Sequence, residues 1–237
     1  MELNKSAWVK AGSDSSQYNQ GLREYMLRIY NYMAGALGLT GLVAYLASSL
    51  PALMQAIIGT PLQFVVMFAP LGIVIYLSVR INKLSVKSAQ TWFWVYAGAM
   101  GLSLSYIFLV YTGASIARCF FITASVFGAM SLYGYTTKKD LTGMGQFLIM
   151  GLIGLILASL VNIFMKSSGL DFAISVIGVI IFTGLTAYDT QRLKEVYYMA
   201  GGSSDSAGKA AIMGALTLYL DFINLMIMLL RFVGDRK

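Results

Sequence analysis

The chain is 237 residues long, 58% hydrophobic and 11% charged, less than half the charged share of a soluble domain, which is about 25%. It has one cysteine and no histidine, which excludes an intrachain disulfide, a histidine-ligated metal centre, a Ser-His triad and the usual neutral-pH switch. The formal charge of +7 does not point to nucleic acid, because the basic residues sit between apolar runs, where they act as topology signals.

Seven apolar runs are long enough to cross a bilayer, which takes about 20 residues each. They predict an all-α polytopic membrane protein with seven transmembrane helices. Residues 1–22 are polar, include "SDSSQYNQG" and lack the apolar centre of a cleavable signal peptide. We assign them as a cytoplasmic N-terminal tail ahead of a seven-helix domain of residues 23–237. The first predicted span covers residues 27–49 and ends just before Pro51. The second, residues 61–80, contains Pro70, which predicts a kink. The third, "QTWFWVYAGAMGLSLSYIFLVY" over residues 90–111, gathers tryptophans at one end as an interfacial belt does. The fourth and fifth cover residues 115–135 and 143–165, the sixth 172–189 and the seventh 211–230. Connections are short except for "QRLKEVYYMAGGSSDSAGKA", read as a loop over residues 191–210. Glycine-rich stretches such as "GALGLTG" and "GLIG" predict close helix packing and carry no chemistry.

Orientation follows from the basic residues. With the N-terminus inside, twelve of the seventeen face inward, among them Arg23, Arg28, Arg80, Lys83, Lys138, Lys139, Arg192 and Lys194. Arg118, Lys166 and the tail residues Arg231, Arg236 and Lys237 face outward. That excess favours an N-inside arrangement in the cell membrane. Seven full spans then leave a basic tail outside, against the rule.

Of ten acidic residues, eight lie in tails, loops or span ends; Asp189 and Asp221 alone lie in or against apolar runs. An aspartate at a helix centre costs about 2.5–3.5 kcal/mol on insertion scales, so it is a functional candidate by default. Gly214, Thr217, Asp221, Asn224 and Met228 are spaced by 3, 4, 3 and 4 residues and form one polar seam on an apolar helix. Such a stripe faces a bundle interior or a water-filled cavity rather than lipid, which predicts that the seventh helix is enclosed by the others. At 1.5 Å per residue Asp221 is about 10–15 Å deep, with Asp189 and Arg80 near the cytoplasmic ends of their spans. The three charges are expected to meet if the seventh helix starts late or the sixth span sits deeper.

Two close carboxylates in a dry site cannot both ionise cheaply, so they can hold one proton between them. Arg80 is a plausible latch for Asp189, weakened when the pair is protonated; alternatively it is a snorkelling topology residue without a partner. The same oxygens suit a hard cation. Calcium takes about six to eight oxygens, and two aspartates with Thr186, Asn224, carbonyls and water would form a weak site of the kind permeation needs. Thr217 on the same seam is a further pathway-lining candidate. No cofactor is expected, calcium being the permeant ion.

"LREYMLRIYNYMAGALGLTGLVAYLA", "FFITASVFGAMSLYGYTTKKDLTGMGQFLIMGLIGLILASLVNIF", "GLTAYDTQRLK" and "GALTLYLDFINLMIMLLR" resemble the Bax inhibitor-1, or transmembrane BAX inhibitor motif, family. The resemblance runs from about Leu22 to the end of the chain and is closest to bacterial inner-membrane members. It implies seven helices with the C-terminal one central, and a pH-sensitive calcium leak in which aspartates on the sixth and seventh helices share a proton. The "AYDTQ" aspartate falls on Asp189 and the "YLDF" aspartate on Asp221. An arginine of the second helix, matching Arg80, latches the closed form in that family. Members also regulate cell death or bind membrane proteases, so a non-conducting interaction protein that modulates a membrane protease is the main alternative. An intramembrane aspartyl protease would need Gly-x-Gly-Asp at the second aspartate, where the chain reads "LYLD". A retinal protein would need a lysine in the last helix, and Lys209 precedes it. No enzymatic activity is expected.

Overall fold

The computed structural model describes the backbone of residues 3–199 and 204–237, and the side chains of residues 20–199 and 206–237. Most of the predicted N-terminal tail lies outside the described side chains. The described elements, in chain order, are helices α1 (Leu3–Ser48), α2 (Pro51–Ile57), α3 (Leu62–Arg80), α4 (Val86–Leu104), α5 (Ile107–Val110), α6 (Gly113–Thr136), α7 (Thr142–Met165), α8 (Ser168–Met199) and α9 (Ser204–Val233), with a 3-10 turn over Ile81–Lys83. Seven of them carry stretches long and apolar enough to cross a bilayer. The protein is an all-α polytopic membrane protein.

Local chemistry explains where these helices start and stop. Pro51 occupies the first turn of α2, where its missing N–H costs nothing. This short helix lies between the first two spans and was not anticipated. Ser85 caps α4 by accepting from the Ser88 N–H, and Thr112 caps α6 by accepting from the Ser115 N–H, each satisfying one orphan donor of a first turn. The predicted third span is two helices. At their junction Ser105 donates its hydroxyl to the Leu102 carbonyl, a local bond that competes with the helix ladder. Before α7, Asp140 accepts from Thr142, and the Thr142 hydroxyl and N–H together hold its carboxyl below the usual range. Lys166, in the left-handed region at φ 50°, ends α7 and lets α8 start two residues later.

The expected loop over residues 191–210 is mostly helix. α8 runs on to Met199 because "RLKEVYYM" supplies good helix formers and no glycine before Gly201. Asp189 is therefore ten residues inside its helix rather than at its end.

α9 packs on α8, α1, α6 and α4. In its most apolar stretch 67% of residues are buried, against 44% for α8 and 11% for α3 and α7, so α9 is the central helix. The main core joins Leu216, Tyr219 and Phe222 of α9 to Ile29 of α1, Phe93 and Tyr96 of α4 and Phe127 of α6. α3 lies at the periphery, packed on α4. After α9 the tail folds back along the α5–α6 connection. The Thr112 N–H donates to the Asp235 carbonyl at 3.1 Å and the Lys237 N–H to the Val110 carbonyl at 2.9 Å. The basic tail thus shares a face with that connection.

One buried polar contact ties the centre to the wall. Tyr219 and Thr40 hydroxyls meet at 2.7 Å, and Thr40 donates onward to the Ala97 carbonyl at 2.8 Å. Thr40→Val leaves the Tyr219 hydroxyl unpartnered. We expect a loss of about 1 kcal/mol, read as lower thermal stability in detergent; an unchanged melting curve would show that the bond contributes nothing.

Candidate functional site

The site is built where α8 and α9 run antiparallel. Gly214 lies against Leu193, and Gly178 against Met228, so the seam from Gly214 to Met228 faces α8 along its whole length. The small residues at both ends let the two backbones approach. Midway, the carboxyls of Asp189 and Asp221 come within reach of each other. Both are buried, at 9% and 5% exposure.

Ionised carboxylates only accept hydrogen bonds, whereas a protonated one donates. A hydrogen bond between these two groups therefore requires one proton on the pair, and its removal sets two like charges side by side. The Oδ2 atom of Asp221 is buried and has no hydrogen-bond partner among the described residues. It is the free acceptor of the site.

Around the pair the polar groups are mostly committed to their own helices. Thr186 donates to the Phe182 carbonyl, Thr190 to the Thr186 carbonyl, and Thr217 to the Met213 carbonyl. Ser131 of α6 and Thr190 meet at 3.2 Å, joining α6 to the same layer. Asn224, about a turn beyond Asp221, is half-buried.

Arg80 is not brought to the pair. It is exposed at the C-terminal end of peripheral α3, which packs on α4, and no ion pair with Asp189 forms. A cation nearer in the chain is Arg192, exposed and three residues further along α8. Among the described residues there is no group of three or more His, Cys, Asp or Glu that could hold a metal ion. The donor set is two carboxylates, four oxygens against the six to eight that calcium takes.

The profile of the family described as inhibitor of apoptosis-promoting Bax1 matches residues 22–237. The chain belongs to the Bax inhibitor-1 family. A Rickettsia prowazekii protein is similar at 55% identity over 226 residues, 95% of each chain. The inner membrane protein YbhL of Escherichia coli K12 is 49% identical over 223 residues, 93% of this chain and 95% of its own. A Caulobacter vibrioides protein is 49% identical over 238 residues, 97% of this chain and 95% of its own.

The sequence reading missed Gln191 and gave Arg192 no role at the site. Gln191, buried at 8% exposure, accepts from the Leu141 N–H and donates to the Lys139 carbonyl, both at 2.8 Å. It clamps the α6–α7 connection onto α8 two residues from Asp189. Arg192 entered the sequence reading as one of twelve inward-facing basic residues, although it lies three positions from Asp189. The signal for both was the string "AYDTQR" itself, once its helix is extended past Asp189.

Proposed function

We propose that this Bax inhibitor-1 family member is a pH-sensitive calcium leak of the inner membrane, gated by the proton held between Asp189 and Asp221. The observation that supports it is the contact of these two carboxyls within the most buried helix pair of the bundle. The name of YbhL places that relative in the inner membrane, and the excess of inward basic residues favours a cytoplasmic N-terminus here.

With its proton, the pair carries one negative charge; without it, two. Deprotonation strengthens the hold of a nearby cation on Asp189 and keeps α8 and α9 closed, while protonation loosens that hold and opens a path. Arg192, three residues further along α8, shares a helix with Asp189, so it tunes the charge of that carboxyl but does not tie α8 to α9. Arg80, the family's expected latch, supplies the hold only if α3 moves inward toward α8. Thr186, Thr217 and Asn224 offer further oxygens along the seam. A four-oxygen pair binds calcium weakly, which suits an ion that must also leave.

The test is flux from liposomes loaded with a calcium dye and carrying the purified protein alone. Leak is expected to rise as pH falls from about 8 to about 5. Absence of flux throughout that range would assign the protein instead to non-conducting interaction, for instance with a membrane protease.

A further inference from the structure

α1 packs on α4 and α9, and α6 on α8 and α9, but between α1 and α6 a cleft remains on the outside of the bundle. Its N-terminal-side half is a cavity of about 450 Å³ lined by α1 and α6 alone. Arg23, Leu27 and Tyr30 line it from α1, and Tyr135, Ser131 and Gly128 from α6: taken in that order the residue numbers sum to the same value, as for antiparallel helices side by side. The same series continues in a second cavity of about 280 Å³, whose lining includes Leu37 and Gly41 of α1 and Phe121 and Ala117 of α6. Phe222 of central α9 forms the floor, with ring centroids 5.6 Å from Phe120 and 5.5 Å from Phe127. Gly41 is about 27 Å along α1 from Arg23, so the two cavities lie in opposite halves of a core about 30 Å thick.

We propose that the Arg23 half of this cleft is a binding site for an anionic phospholipid of the leaflet on the N-terminal side. Its polarity is graded in the right sense. Arg23 and Tyr135 form the mouth, and Met26, Leu27, Phe127 and Leu132 form the walls deeper in. Positive charge is concentrated at the mouth. Lys194 donates to the Tyr135 carbonyl and lies 5.5 Å from the centre of its ring. No residue lining the cavity is acidic. Glu24, next in sequence, borders a separate depression with Arg28, and Glu195 beside Lys194 borders the pocket of Lys138 and Lys139. Apolar walls take an acyl chain, and a basic mouth at the interface favours a phosphate head that bears net negative charge. Gly128 leaves the space open, since a Cβ there would meet nothing within 4 Å.

The test is lipid titration of the purified full-length protein in detergent, with bound lipids counted by native mass spectrometry. The probes are phosphatidylglycerol and phosphatidylcholine of the same chain length. Phosphatidylglycerol should bind at least about fivefold more tightly, the factor expected for one interfacial cation. Arg23→Gln should remove most of that preference and leave phosphatidylcholine affinity unchanged. Gly128→Leu should weaken both lipids, because it fills the cleft without meeting a neighbour. Equal binding of the two lipids by the wild type, or unchanged binding by Gly128→Leu, would overturn the site. So would a second copy of the chain that excludes phosphatidylglycerol.

Discussion

In calcium-dye liposomes, Asp221→Asn is expected to abolish the pH dependence of leak while the protein keeps its fold. On the proposed mechanism the wild type exchanges one proton at the Asp189–Asp221 contact, which limits the response to about tenfold per pH unit. An asparagine amide is close to isosteric and still offers a donor to Asp189, so helix packing is retained. It cannot titrate, so the pair no longer passes between one and two negative charges. The variant should therefore give a flat profile across about pH 5 to 8, and Asp189→Asn should match it. A wild-type profile in either variant would show that the pair is structural. Replacing the two cations separates a bridge from a local charge: Arg80→Ala raises basal leak if α3 supplies the hold, whereas Arg192→Ala, on the same helix as Asp189, shifts the pH of the response and leaves the basal leak in place.

Gly134→Leu is expected to be the most damaging single change to the bundle. A Cβ at Gly134 would sit 2.9 Å from the carbonyl carbon and 3.0 Å from the Cα of Ala187, distances that real Cβ contacts essentially never show. The obstacle is α8 backbone, two residues before Asp189, which cannot rotate away as a side chain would. Overpacking of this kind costs about 1–3 kcal/mol and sometimes more, equivalent to roughly 3–10 °C in melting temperature for a chain of this size. Gly128→Leu, two turns earlier on the same helix, faces open space and should stay within about 0.5 kcal/mol of the wild type. Equal melting temperatures for the two variants would refute the close α6–α8 approach.

Some of this was legible in the sequence because it is local. A polar seam at 3-4-3-4 spacing on the last helix requires an enclosed position whatever the neighbours are, and α9 is the central helix. The limit shows at Asp189. Reading its span as residues 172–189 put the acid at a helix end, because hydropathy falls off at "QRLKE". Helix propensity does not fall off there, and α8 continues for ten more residues. Arg80 illustrates the complementary error. Its position at the end of the second span was placed correctly, but which neighbour α3 packs on is not written in α3, and it packs on α4.

By itself the sequence determined seven apolar spans, two acids in or against them and membership of a family whose profile covers residues 22–237, since each is a property of a window or a string. Tertiary structure alone decided that Asp189 and Asp221 meet, that Arg80 stays apart from them, and that α1 and α6 part to leave a cleft. Those outcomes depend on helix rotation and register. Both are set by many small packing contacts between residues far apart in the chain, such as Gly134 against Ala187 and Gly178 against Met228.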